Sequence, residues 1–189
     1  MLLHGLTFDR RQWDPVRREL AVLDPARQVL AVDLPGHGDS PRLASYRMTE
    51  VAAVVHDQVT EAGLTDPVVV GHSVGAVVAT TYAARHPVRG VVNLDQILLP
   101  GPFGAVVRQA EPTLRGPEWR RVWDGMLAGM GIESLPTEAR EIVTTATDPG
   151  RTCCSATGAR SCANPTRRSP PNGSARCGPS PSGGSPTAG

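Results

Sequence analysis

Gly71-His72-Ser73-Val74-Gly75 is the stretch that most limits what this chain can fold into. It stands between Pro67 to Val70, a β-branched run too short for a helix, and Ala76 to Arg85, where Val77, Val78 and Tyr82 recur at helical offsets before Pro87. A serine flanked by glycines between a strand and a helix implies a turn so tight that Gly71 and Gly75 must stay small. The middle side chain then projects, under strain, at the N-terminus of the helix. There the backbone amide of Val74 and the positive end of the helix dipole favour a developing oxyanion. Ser73 is therefore the candidate nucleophile and Val74 a candidate oxyanion donor. A plain Gly-Ser loop is the alternative, and it accounts for neither the strand before the pentapeptide nor the helix after it.

Around this turn the chain alternates. Met1 to His4, Gln28 to Asp33, Pro67 to Val70 and Val88 to Leu94 are short apolar runs of buried-strand type. Between them, Asp14 and Pro15 make a helix start for Val16 to Leu20, with Asp14 accepting orphan amide hydrogen bonds. Val51, Val54, Val55 and Val59 mark a helix over Met48 to Ala62, which Gly63 ends. Strand and helix in alternation predict an α/β fold with a parallel sheet and right-handed crossovers. Beyond Asp95 only helical patterns remain. Trp119, Val122, Trp123, Met126, Leu127 and Met130 form one apolar stripe, and Ala139, Ile142, Val143 and Ala146 another; both read as core packing rather than a substrate pocket.

Charge divides the chain. Residues 1–150 hold 14 Arg and 18 acidic residues, whereas residues 151–189 hold 5 Arg, no acid, and no Val, Ile, Leu, Met, Phe, Trp or Tyr. Such a tail cannot bury enough apolar surface to offset its ordering entropy, so its composition predicts low-complexity disorder. It contains Cys153, Cys154, Cys162 and Cys177, but their irregular spacing, with no C-x-x-C pair and no neighbouring His, argues against a metal site. Low charge and missing aromatics argue against nucleic acid as a partner. A shifted reading frame would account for the tail. Every Cys codon begins TG, so a frame two bases later places a Leu, Met or Val codon at each of the four cysteines; sequencing the gene across codons 148 to 155 tests this. No run of about 18 apolar residues offers a membrane span and no secretory signal opens the chain, so a cytoplasmic protein is expected.

Three motifs in order, Leu2-Leu3-His4-Gly5, Asp33-Leu34-Pro35-Gly36-His37-Gly38-Asp39-Ser40 and the Gly71 to Gly75 pentapeptide, resemble those of the α/β-hydrolase superfamily over most of residues 1–147. The resemblance implies a partial α/β-hydrolase domain over residues 1–150, with a mostly parallel core at 1–97 and a helical cap at about 100–147. It implies Ser73 as nucleophile, Leu6 beside Val74 as the second oxyanion amide, and no cofactor. The Asp33 loop is by the same resemblance a structural turn, so His37 and Asp39 are not counted as catalytic.

Two departures stand out. A working member has the order Ser, acid, His, yet histidines occur only at positions 4, 37, 56, 72 and 86. Asp95 is thus an acid candidate with no histidine after it to serve. A member also normally has two strands before the one ending in His4-Gly5, which implies a truncated member with the Gln28 and Val88 strands at its open edges. The function implied for the intact form is hydrolysis of an ester, thioester or lactone type bond of a small-molecule substrate, impaired here. A catalytically inactive pseudo-hydrolase or binding module, and a cofactor-free peroxidase-like or C–C bond hydrolase of the same fold, stay open. Limited proteolysis is expected to remove the segment after Gly150 early and leave residues 1–147, and a tail resisting digestion as long as the core contradicts the composition argument.

Overall fold

Pairing of the short apolar runs builds the centre of the molecule. The computed structural model describes residues 1–98 and 101–146, so the expected tail at 151–189 lies outside the described residues. Strands β1 (Leu2–Leu3), β2 (Ala31–Val32), β3 (Val68–His72) and β4 (Gly90–Leu94) form one sheet in the order β2-β1-β3-β4, every pair parallel. Leu2 faces Ala31 on one side and Val70 on the other, and Val69 faces Val91. The Gln28 run thus supplies one edge and the Val88 run the other, as the family resemblance implies. Only Ala31–Val32 of the former pairs as strand, although the Leu30 carbonyl also accepts the Leu2 amide at 2.8 Å.

Helices α1 (Asp14–Leu23), α2 (Met48–Glu61) and α3 (Val74–Ala83) connect the strands. α3 packs against β1, β3 and β4 and against α2. The core joins Leu3, Val32, Val69 and Val78 with Val51, Val55 and Val59 from one face of α2. At about 1.5–3 kcal/mol per fully buried aliphatic side chain, that face outweighs the weak helix propensity of its valines. Gly63 ends α2 with φ 66, as expected from its position.

α1 starts at Asp14-Pro15 as its residues predict, but the Asp14 side chain does not cap it. Asp14 is its first helical residue, and the capping role falls to Asp9, whose carboxylate accepts the Arg11 amide at 2.9 Å and caps a 3-10 turn at Arg10–Trp13. Trp13, the last residue of that turn, is 4 % exposed.

After Leu94 come α4 (Gly101–Arg115), α5 (Trp119–Gly129) and α6 (Thr137–Ala146). α4 packs on α5, and α6 returns to the 3-10 turn. The expected core stripe on α5 holds at Trp123, which is buried, but Met126 and Met130 are exposed because no described element packs over that side. β4 likewise exposes Val91, Val92 and Leu94, having a strand partner on one side among the described residues.

Gly71 and Gly75 decide whether the β3 to α3 turn can close. A Cβ on Gly71 would overlap the Gly75 carbonyl and the Ala76 backbone, and one on Gly75 would lie 2.5 Å from the Leu3 and His4 carbonyls. Backbone cannot yield as a side-chain tip does. Gly75→Ala is expected to lower unfolding free energy by about 3 kcal/mol, the upper range for overpacking, and denaturant melts of the two proteins measure it.

Candidate active site

Ser73 sits where β3 hands over to α3, with φ 50 and ψ −123. Such a backbone is costly for a residue with a Cβ, of order 1–3 kcal/mol, and persists only where its surroundings over-determine it. Here they do. The Ser73 amide donates to the Leu94 carbonyl at 2.9 Å, the Ser73 carbonyl accepts from Ala76 at 2.8 Å, and both flanking glycines lie in backbone contact. Val74 is the first residue of α3, so the helix itself gives its N–H no acceptor, and none stands among the described residues.

Leu6 lies in a turn after β1 that the Phe8 amide closes on the Gly5 carbonyl at 3.2 Å, with Thr7 at φ 68. Closing a turn in this way leaves its two middle amides unused. The Gly5 carbonyl also accepts from His4 Nδ1 at 2.8 Å. Because the peptide unit is planar and trans, fixing that carbonyl fixes the Leu6 N–H in the opposite direction. His4 thereby orients an amide without touching it. The turn lies against the elbow: a Cβ on Gly5 would come within 2.6 Å of His72 Nδ1 and 3.5 Å of Ser73 Cβ. Of the sequence-derived site residues, the structure brings Leu6, Ser73 and Val74 into one neighbourhood.

The motif starting at Asp33 braces this turn from behind. Asp33 accepts from the Arg10 amide at 2.7 Å, the Arg10 guanidinium at 2.6 Å and the Asp39 amide at 3.0 Å, and its carboxylate fills the space that a Cβ on Gly38 would need. All three end on a carboxylate only 6 % exposed, and the Arg10 guanidinium adds a full charge to one of them, so they hold the loop firmly. The outer Arg10–Asp39 pair, with Asp39 80 % exposed, adds little. Arg10 was not singled out from the sequence, since a charged residue in a loop gives no pattern.

Every histidine is engaged elsewhere than at Ser73. His4 Nε2 accepts the Leu34 amide at 3.0 Å, which requires its proton to be on Nδ1, facing Gly5. Burial pushes His4 down to about 4. His37 donates from Nδ1 to the Pro35 carbonyl at 3.0 Å, and its burial likewise lowers its pKa. His56 and His86 stack with centroids 3.8 Å apart, and His56 also meets the Tyr82 hydroxyl at 3.1 Å. His72 pairs with Gln12, a contact that nothing in the sequence announces.

Asp95 follows β4 with φ 58 and an exposed side chain. It is one residue beyond the carbonyl that holds the Ser73 amide, and its negative charge acts on His72, partly opposing the lowering of that ring's pKa by burial. Among the described residues its carboxylate accepts no hydrogen bond, so it neither locks the turn nor orients a histidine.

A cleft of about 950 Å³ lined by Met1, Leu23, Gly63, Asp66, Val68 and Arg89 opens at the N-terminal ends of β1 and β3. Ser73 stands at the opposite, C-terminal end, where open parallel sheets bind their ligands, so this cleft lies away from the elbow.

His4 links the site to stability. Its folded value of about 4 lies below the ordinary 6.5, so the unfolded chain binds the proton first as pH falls. Stability from this group is complete above pH 6.5 and is lost between 6.5 and 4, by about 3 kcal/mol at roughly 1.4 kcal/mol per pH unit. Melting temperatures taken across that range should fall with acidity, and His4→Gln should fall less steeply.

Comparison with known proteins agrees with the geometry. A profile described as "Alpha/beta hydrolase family" matches residues 1–173. The biotin biosynthesis bifunctional protein BioHC of Cellvibrio japonicus is 40% identical over 96 residues, covering 50% of this chain and 18% of that protein. The pimeloyl-[acyl-carrier protein] methyl ester esterase of Neisseria meningitidis is 37% identical over 86 residues, covering 46% of this chain and 31% of that one. The chain thus spans a third or less of the length of these relatives. Among solved structures, an AqdC variant in complex with its substrate, the Pseudomonas quinolone signal whose ring it cleaves, aligns with TM-score 0.64 at 24% identity, over 83% of this chain and 61% of that one, a likeness of fold. With the profile matching most of its length, this chain belongs to the alpha/beta hydrolase family.

Proposed function

We propose that Ser73 is the nucleophile of acyl transfer, attacking an ester, thioester or lactone carbonyl of a small molecule, with the Leu6 and Val74 amides receiving the oxyanion. The observation that carries this reading is the strained Ser73 backbone at the start of α3, with the Gly5 to Phe8 turn held against it. That arrangement presents two unsatisfied N–H groups near the serine before any substrate arrives, which is the preorganisation that stabilises a tetrahedral intermediate. The ester class is also that of the Neisseria relative's name.

Attack requires a base to take the Ser73 hydroxyl proton, and an acid to hold that base in its tautomer. No histidine follows His86 in this 189-residue chain, and the five present are held in other bonds or stacks. The reading for these residues is therefore the nucleophile and oxyanion half of a hydrolase, with turnover impaired until a histidine is supplied. The same observation favours a second reading, a pseudo-hydrolase that keeps the pocket and binds without turnover.

Hydrolysis of p-nitrophenyl esters and labelling by a fluorophosphonate test both. The 189-residue chain is expected to hydrolyse negligibly, and Ser73→Ala to change its rate by no more than about twofold, since a triad without its base keeps only the roughly 10³–10⁴ of oxyanion hole and binding. A longer chain that adds a histidine after Asp95 is expected to become Ser73-dependent and to label. Failure of that longer chain to label supports the pseudo-hydrolase. Substantial Ser73-dependent turnover by the 189 residues alone would reveal a base among the five histidines, with His37→Ala and His4→Ala the first variants to locate it.

A further inference from the structure

Gln12 lies in the 3-10 turn Arg10–Trp13, half-buried, and both ends of its amide are used. Its Oε1 accepts the Gly5 amide at 3.0 Å and its Nε2 stands 2.8 Å from His72 Nδ1. A backbone N–H can only donate, so the face of Gln12 toward Gly5 must be the oxygen. The face toward His72 must then be the NH2 group, also a donor only. His72 Nδ1 is therefore the acceptor, and the proton of its neutral ring sits on Nε2. One main-chain amide settles the tautomer of a ring on another loop.

We propose that Gln12 is a positioning residue that clamps the oxyanion turn to the nucleophile elbow and holds the His72 proton on Nε2. The proposal rests on reading the Gly5 to Phe8 turn as the oxyanion turn. Gly5 is then pinned on both sides, its carbonyl by His4 and Phe8 and its N–H by Gln12. These bonds fix the two peptide planes that set where the Leu6 amide points. Through His72, the residue preceding Ser73, the same side chain ties that direction to the elbow. The backbone of Gln12 is itself held: its amide donates to the Asp9 carbonyl at 3.0 Å, and the buried Trp13 follows it. The ring of His72 rests over Gly5, at a distance that no residue with a Cβ would permit, and meets the edge of Phe8.

The clamp depends on His72 remaining neutral. A proton on Nδ1 would set donor against donor at Gln12. Burial keeps the His72 pKa below its ordinary value, and Asp95, at the end of β4, works against it. Of the groups packed on the ring from other elements, Gln12, Gly5 and Phe8 carry no charge, so Asp95 is the ionised group that opposes the clamp.

Nitrogen-15 NMR of the 189-residue chain labelled at histidine, in solution or under magic-angle spinning, reads the tautomer directly. His72 is expected to show a protonated Nε2 and an unprotonated, hydrogen-bonded Nδ1. Gln12→Glu replaces the NH2 donor with an acceptor while still accepting from Gly5, so His72 should gain the Nδ1 proton and its titration midpoint should rise by roughly one to three pH units. Gln12→Met, similar in size and unable to hydrogen-bond, should release both tautomers without that rise. The stacked His56 and His86 signals, remote from the turn, report whether each variant is folded. A wild-type His72 with its proton on Nδ1, or equal midpoints in the Glu and Met variants, overturns the proposal. Because the readout is the ring of His72, repeating it in Ser73→Ala separates failure of the clamp from failure of Ser73 as nucleophile.

Discussion

Everything at the site depends on one contact, the backbone of the β3 to α3 turn pressed against the end of β1. Gly75 approaches the Leu3 and His4 carbonyls and Gly71 approaches the Ala76 backbone, each at distances that exclude a side chain. This approach forces Ser73 into φ 50, points the start of α3 at the loop after β1, and brings the two unsatisfied amides to the same end of the sheet. The strain of order 1–3 kcal/mol is small beside the burial of α3 against three strands and α2, so packing holds the turn in place.

The electrostatic design follows the same logic of fixed backbone donors. His4 and His72 each meet a fixed donor, the Leu34 amide directly in one case and the Gly5 amide through Gln12 in the other, and each is thereby given a single neutral tautomer. Burial reinforces neutrality in both, as well as in His37. His4 and His72 are good braces and poor bases, because accepting a proton would break the bond that orients each of them. On the proposed reading, the described residues supply the donor side of acyl transfer, and the proton acceptor has to come from a histidine outside these bonds.

Local patterns were legible where physics is local. The four strand runs, the extent of α2 and its end at Gly63 follow from apolar spacing and one glycine, and the edge positions of the Gln28 and Val88 runs follow from the family's strand order. The Asp14-Pro15 start of α1 is legible in the sequence, but the side-chain cap is not: both Asp9 and Asp14 have capping chemistry, and the carboxylate that caps is Asp9, on the 3-10 turn before the helix. The apolar stripe of α5 was read as core, but periodicity reports which residues share a face, and only neighbouring elements determine whether that face is covered.

By itself, the sequence determined the elbow, because a Gly-x-Ser-x-Gly turn between strand and helix has few other backbone solutions, and three motifs in order carried the resemblance to the family. It also determined that no histidine follows His86. Only the tertiary structure decided which groups brace the elbow: Arg10 on Asp33 across 23 positions, and Gln12 on His72 across 60. Hydrogen bonds of that separation leave no periodic trace in the chain, since they depend on where three loops meet at the C-terminal ends of parallel strands.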